Sequence, residues 1–143
     1  MNIPKVSVIV LIYKVEKYIE RCARSLFCQT MQDIEYVFVN DCTPDHSIQI
    51  LQSVIDEYPQ RKSGIKIISH EKNMGSGVAR NTGLEVADGE YIIYCDGDDW
   101  VDPDMYEKLY MKACEDNADI VMCDYYEEKQ GKRIRCSQNP FRH

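Results

Sequence analysis

Three carboxylates fall within four positions at Asp96-Gly97-Asp98-Asp99, directly after the apolar run Tyr91 to Cys95. Like charges this close repel one another unless a cation compensates them. Hard oxygen donors of this kind suit Mg²⁺ or Mn²⁺, which bind through one or two carboxylates plus the phosphates of a substrate. Gly97 would let the backbone turn sharply and let a ligand come close. The plainer alternative is a solvated turn whose aspartates cap the next helix. Asp41 ends a second apolar run, Glu35 to Asn40, and Tyr13 ends a third, Val6 to Tyr13. A carboxylate so placed can accept a hydrogen bond from the ring N–H of a base, and a phenol ring can stack on that base. An Asx turn and a strand-end tyrosine would account for the same two residues without a ligand.

Arg80 and Asn81 lie in Asn73-Met74-Gly75-Ser76-Gly77-Val78-Ala79-Arg80-Asn81-Thr82-Gly83. A glycine-rich turn into a helix offers free N–H groups to anions. The segment matches neither G-x-x-x-x-G-K-[ST] nor G-x-G-x-x-G. Arg80 could bind phosphate or buttress the aspartates, and both readings stand. His46 and His70 read as surface or loop residues, and Trp100 as a ring that packs the acidic loop down. Cys22, Cys95 and Cys123 read as core thiols. Cys42 adjoins Asp41, but no base stands near it to make it a nucleophile.

These residues gather only if the chain alternates strands and helices. The β-branched run Val6 to Tyr13 is apolar enough to be covered on both faces. Glu16 to Gln29 sets Ile19, Cys22, Ala23, Leu26 and Phe27 at helical spacing. Further strands are expected at 35–40, 65–69, 91–95 and 119–125. Helices are expected from Asp45 or Ser47 to about Tyr58, at 76–86 with Gly89 closing it, and from Pro103 to about Asn117. The fold class is therefore α/β, a mainly parallel open sheet with helices on both faces. Ligands of such sheets bind beyond the carboxyl ends of the strands, where all the residues above lie. Residues 1–143 are expected to form a single domain with its core at 5–125, and 126–143 a weakly structured tail or hairpin.

The 143 residues carry a formal net charge of −7, which disfavours a phosphate backbone and hence nucleic-acid binding. No apolar run approaches the roughly 20 residues that span a bilayer. The start, Met1 to Lys5, has the look of a signal peptide but lacks a cleavage site and is followed by Lys14 and Glu16. Seven cysteines without a C-x-x-C pair read as reduced thiols of a cytoplasmic protein rather than a disulfide frame or zinc site.

In order along the chain, these segments resemble the family 2 glycosyltransferases, which have the GT-A fold. Lys5 to Tyr13 is similar to the family's opening strand, and Glu16 to Thr30 to its first helix. Val39-Asn40-Asp41-Cys42-Thr43-Pro44-Asp45-His46-Ser47 resembles V-[DN]-D-G-S-x-D-x-[ST]. Asn73 to Gly83 resembles N-x-G…A-R-N-x-G, and Tyr91 to Asp99 the strand and D-x-D-D motif. The resemblance implies a nucleotide-sugar donor, commonly a UDP-sugar, with Mn²⁺ or Mg²⁺ on its diphosphate. It would place Tyr13 and Asp41 at the base, and Arg80 in support of the base or the acidic loop. Asp96 would face the ribose and metal, and Asp98 would ligate the metal, supported by Asp99 and Asn81. The reaction implied is inverting transfer to the hydroxyl of a glycan or other acceptor, in polysaccharide biosynthesis, with a role at the cytoplasmic face of a membrane.

Four positions depart from the family's pattern. Leu11 stands for Pro, Lys14 for Asn, Cys42 for Gly and Pro44 for Thr. Cys42 would be strained if its turn needs a positive φ. The family's catalytic base follows the D-x-D strand at a distance, and neither Asp119, Asp124, Glu127 nor Glu128 matches it. No catalytic residue is therefore assigned. The expectation is a donor-binding part that transfers no sugar alone, with an exposed sheet edge that favours a homodimer. Two other readings remain: a non-catalytic binding or assembly module, and a haloacid-dehalogenase-type phosphatase, because Ile92 to Asp98 resembles hhhhDxD.

Overall fold

Runs of Val, Ile, Tyr and Phe form the centre of the molecule because extended backbone suits their branched and aromatic side chains. The computed structural model describes residues 2–138, which fall into two compact units, one up to Tyr106 and one from Glu107 onward. The first unit contains β1 (Val6–Ile12), α1 (Ile19–Phe27), β2 (Ile34–Asn40), α2 (Ser47–Asp56), a 3₁₀ turn (Pro59–Gly64), β3 (Ile65–Ser69), α3 (Ser76–Val86) and β4 (Tyr91–Asp96). Its sheet is parallel throughout, in the order β3-β2-β1-β4. No described helix is long and apolar enough to cross a membrane.

Alternation along the central strands sends side chains to two covered faces. On one face Ile9, Val37 and Val39 form a core with Ala79 of α3. On the other, Phe27 of α1 meets the rings of Tyr36 and Phe38 edge-on, at 5.3 and 6.0 Å between centroids. Tyr36 donates its hydroxyl proton to the carbonyl of Leu26, and α2 packs beside α1. Helices therefore cover both faces, as the alternation in the sequence implies.

One buried charge ties the amino-terminal ends of the strands. Glu35 accepts from Ser7 Oγ at 2.5 Å and from the Asp88 amide at 2.9 Å, and pairs with Lys66 Nζ at 2.5 Å. Gly89 sits in this corner, and its role differs from the expected helix closure. Its N–H donates to Ser7 Oγ at 2.8 Å, and a Cβ would fall 2.5 Å from the Ser7 nitrogen. The missing side chain thus serves close approach to β1.

The second unit holds most of α4 (Met105–Asp116) and a hairpin of β5 (Tyr125–Lys129) with β6 (Lys132–Cys136). The strand expected at 119–125 does not form. Residues 119–124 have no regular structure, and Ile120 and Met122 are 82% and 62% exposed. A strand needs a hydrogen-bonding neighbour, and the sequence supplies one locally to Tyr125–Lys129 instead. Gln130 and Gly131 both take positive φ, +50° and +75°, in a two-residue turn whose twist matches that of paired strands. Arg133 pairs with Glu128 across the hairpin at 3.5 Å, and Arg135 holds Asp124 at 2.6 Å.

Candidate functional site

The parallel register brings the polar strand ends to one edge. Asn40 lies opposite Ile12 and Asp96 opposite Leu11, so Asp41 and the acidic loop flank Tyr13 on either side. With neighbouring strands about 4.8 Å apart, the two flanks are separated by roughly 10 Å. Tyr13 is exposed, with Lys14 Nζ 5.3 Å from the centre of its ring.

The acidic loop is a tight turn closed by the Asp99 amide on the Asp96 carbonyl, 3.0 Å. Asp96, Asp98 and Asp99 are exposed, and each offers an oxygen within 4.8 Å of the others. Partial shielding of its carboxyl from water by the surrounding protein, then the charges of Asp98 and Asp96, push Asp99 above the usual range. Convergent hard oxygens under mutual repulsion fit a divalent cation. Gly97 serves a different purpose from the one expected. Its N–H donates to the Leu11 carbonyl at 3.1 Å, and a Cβ would lie 2.8 Å from that oxygen. The space is filled by β1 rather than kept for a ligand.

The chain after the loop is moored to α1. The Arg21 guanidinium lies 3.3 Å from the centre of the Trp100 ring, and the Val101 amide donates to Ser25 Oγ at 3.2 Å. Buried Gln29 donates to the Asp102 carbonyl at 2.6 Å and accepts from the Tyr106 amide at 3.2 Å. Beneath the loop, the Cys22 thiol points at the Asp96 carbonyl, 3.6 Å away, and its hydrogen bond with Cys95 together with burial pushes its pKa far up. Cys22 and Cys95 are buried, as expected of core thiols, whereas Cys123 is only half-buried. Arg80 Nη2 stands 3.8 Å from Asp96 Oδ1, both half-exposed, and Asn81 is exposed on the same helix.

Asp41 is the buried member of the site. Its Oδ1 accepts from the Met74 amide and from His70 Nδ1, both at 2.8 Å, and its Oδ2 accepts from the Gly75 amide at 2.9 Å. Burial alone would raise its pKa, but the bonds from His70, Met74 and Gly75 outweigh it and hold the carboxyl below its ordinary value. Gly75 enters α3 at φ +90°, a conformation that excludes most side chains and turns its amide toward Asp41. His70 had read as a loop residue. It is a largely buried bridge instead, with Nε2 2.8 Å from Thr82 Oγ1. The sign available in the sequence was its place, one residue past a strand that ends on the same edge as Asp41.

A second connection fixes the chain beside Tyr13. Three successive amides, those of Lys14, Val15 and Glu16, donate to Thr43 Oγ1, Ser47 Oγ and Asp45 Oδ2 at 2.8, 3.2 and 3.2 Å. Burial would raise the Asp45 pKa, but hydrogen bonds from Ser47, Thr43 and the Glu16 amide bring it down to about 2. The turn also bends through Cys42 at φ +57° and Lys14 at φ +54°. Cys42 therefore carries the strain expected of it, and Lys14 carries it too.

Known proteins share this family's sequence pattern and this fold. The sequence model described as "Glycosyl transferase family 2" matches residues 7–139. The chain is 44% identical to the "Uncharacterized glycosyltransferase EpsJ" of Bacillus subtilis over 131 residues, 92% of this chain and 37% of that protein. It overlays the crystal structure of S. aureus TarS 1-349 in complex with UDP-GlcNAc at a TM-score of 0.73 and 31% identity, covering 80% of this chain and 32% of that one. The mannosyltransferase PcManGT from Pyrobaculum calidifontis, in complex with GDP-Man and Mn²⁺, shares the fold at a TM-score of 0.63 and 24% identity, covering 70% of this chain and 29% of that one. The chain spans about a third of the length of EpsJ and of TarS 1-349.

Proposed function

The chain belongs to the family 2 glycosyltransferases, and from that premise we propose that its 143 residues bind the nucleotide-diphospho-sugar donor, a UDP-sugar, together with a divalent metal. Family membership sets aside the phosphatase reading of the D-x-D strand. The observation that carries the proposal is the pair of carboxylate groups flanking Tyr13, one buried among three hydrogen-bond donors, the other an exposed trio whose oxygens lie within 4.8 Å of one another. The similarity to the UDP-GlcNAc complex of TarS supports the same reading.

In this reading Tyr13 stacks on the base and Asp41 accepts its ring N–H. Asp96 and Asp98 would hold Mn²⁺ or Mg²⁺, with Asp99 and Asn81 in support. When bound, the metal stabilises negative charge on the leaving nucleotide diphosphate. Arg80 adds a positive group beside the loop. The acceptor is a glycan or other hydroxyl compound, and the transfer inverts the anomeric centre. No residue is proposed as the catalytic base, and the part proposed for this chain is donor binding. β4 is an edge strand of its sheet, and a homodimer through that edge is part of the proposal.

Calorimetry with UDP and Mn²⁺ tests the reading. Binding is expected in the micromolar range and at least tenfold weaker in Asp98→Ala. A folded chain that ignores UDP, or an Asp98→Ala variant that binds unchanged, would overturn it. Sedimentation as a clean monomer would remove the dimer.

A further inference from the structure

We infer that His70 determines which base this site accepts, by closing one side of the Asp41 carboxylate. The inference rests on the proposal that Asp41 meets the base. An ionised carboxylate offers about four acceptor positions, two on each oxygen. Both positions on Oδ1 are taken, by the Met74 amide and by His70 Nδ1. One of the two on Oδ2 is taken by the Gly75 amide. A single acceptor position is therefore left to a ligand.

The bases of nucleotide sugars differ in the donors they present. Uracil offers one ring N–H between two carbonyls. Guanine offers a ring N–H beside an amino group, a pair that a carboxylate receives with two acceptors. With Oδ1 closed, guanine's second donor would face an oxygen whose acceptor positions are already filled, and a donor that exchanges water for no partner weakens the complex. The amides of Met74 and Gly75 belong to the backbone and are fixed by the entry to α3. Among the described residues His70 is the one side chain that donates to Asp41, so it is the group that substitution can remove.

His70 is held to this task from three directions. Its amide donates to the Asn40 carbonyl at 2.8 Å, extending the pairing of β3 with β2. Its Nδ1 must carry a proton to meet an ionised carboxylate, because that partner can only accept. Its Nε2 meets Thr82 Oγ1, itself 3.0 Å from the Val78 carbonyl, which locks the ring plane against α3. The imidazole is only 12% exposed. It acts on the base through Asp41 and is a positioning residue rather than a catalytic one.

The test is the ratio of UDP to GDP affinity, each with Mn²⁺ on the full 143-residue chain, in wild type and in His70→Asn, His70→Gln and Asp41→Asn. An Asn amide reaches the place of Nδ1 and keeps the donor to Asp41. A Gln amide reaches the place of Nε2 and keeps only the Thr82 contact. Wild type and His70→Asn are expected to prefer UDP alike, and His70→Gln to lose about tenfold of that preference. Equal ratios in the Asn and Gln variants, or a wild type that prefers GDP, would overturn the inference while a loss of UDP binding in Asp41→Asn leaves the base-site reading intact. If Asp41→Asn binds UDP as tightly as wild type, the base-site reading fails and this inference fails with it.

Discussion

Lys14 and Cys42 leave neighbouring strands in the same left-handed conformation, at φ +54° and +57°. The two turns are joined where the Lys14 amide donates to Thr43 Oγ1 at 2.8 Å. The resemblance noted in the sequence puts Asn and Gly at these positions, the two residue types that tolerate this conformation best. The departures therefore store backbone strain directly beside Tyr13 and Asp41.

Relieving that strain should stabilise the fold. Cys42→Gly and Lys14→Asn are each expected to add about 1 kcal/mol, roughly 3–4 °C in the melting temperature. Thermal unfolding of the two variants and their combination checks this. Melting points at or below that of wild type would show that the strain is absorbed elsewhere.

The acidic loop should respond to a cation. The folded pKa of Asp99 lies above its ordinary value, pushed up by partial shielding from water and by Asp98 and Asp96. The folded state thus loses stability as pH rises through the carboxylate range, and keeps that deficit at neutral pH. Mn²⁺ at millimolar concentration is expected to raise the melting temperature at pH 7, and chelation to lower it again. In Asp96→Asn/Asp98→Asn the metal response should vanish while the melting point without metal rises. A metal response unaltered by the double substitution would place the cation elsewhere.

Asp45 should report the joint between the two turns. Its folded pKa is about 2 against an ordinary 3.8, so its contribution is complete above the higher value and is lost as pH falls toward the lower. Asp45→Ala is expected to cost about 2 kcal/mol at neutral pH, because the amide of Glu16 and the side chains of Thr43 and Ser47 lose their acceptor. The difference from wild type should narrow between pH 4 and pH 2. Urea titrations across that window decide it, and a difference independent of pH would refute the assignment.

Two glycines should answer oppositely to the same substitution. A Cβ at Gly97 would meet the Leu11 carbonyl at 2.8 Å, whereas one at Gly77 in α3 would meet nothing within 4 Å. Gly97→Ala is expected to destabilise by about 2 kcal/mol and Gly77→Ala to stabilise by up to about 1 kcal/mol. Chemical denaturation of both separates the cases. A neutral Gly97→Ala would mean that β1 and the acidic loop can part at little cost.

The readable part of the fold was the part written in periodicity. Val6–Ile12 and Ile34–Asn40 are apolar on both faces, and α1 repeats Ile19, Cys22, Ala23, Leu26 and Phe27 toward one side, so their types followed from spacing. A hairpin was one of two readings open for 126–143, but the strand expected at 119–125 was misplaced, because two left-handed residues at Gln130 and Gly131 set the pairing of Tyr125–Lys129 and outweighed the more apolar stretch before it. Gly89 and Gly97 were misread because a glycine looks the same in sequence whether it permits a turn or a close approach.

By itself, the sequence determined the alternation of strands and helices, the acidic loop at the end of one strand, and the presence of Asp41 and Tyr13 at the ends of two others. Those are consequences of local pattern, in which each residue's burial is set by its position in a repeat. The tertiary structure alone decided that His70 and Asp41, 29 residues apart, share a hydrogen bond, and that Lys14 and Cys42 bend through left-handed backbone. Such facts depend on which strands become neighbours and in what register. Pairing β2 with β1 on one side and β3 on the other fixes them, and no periodicity along the chain encodes that choice.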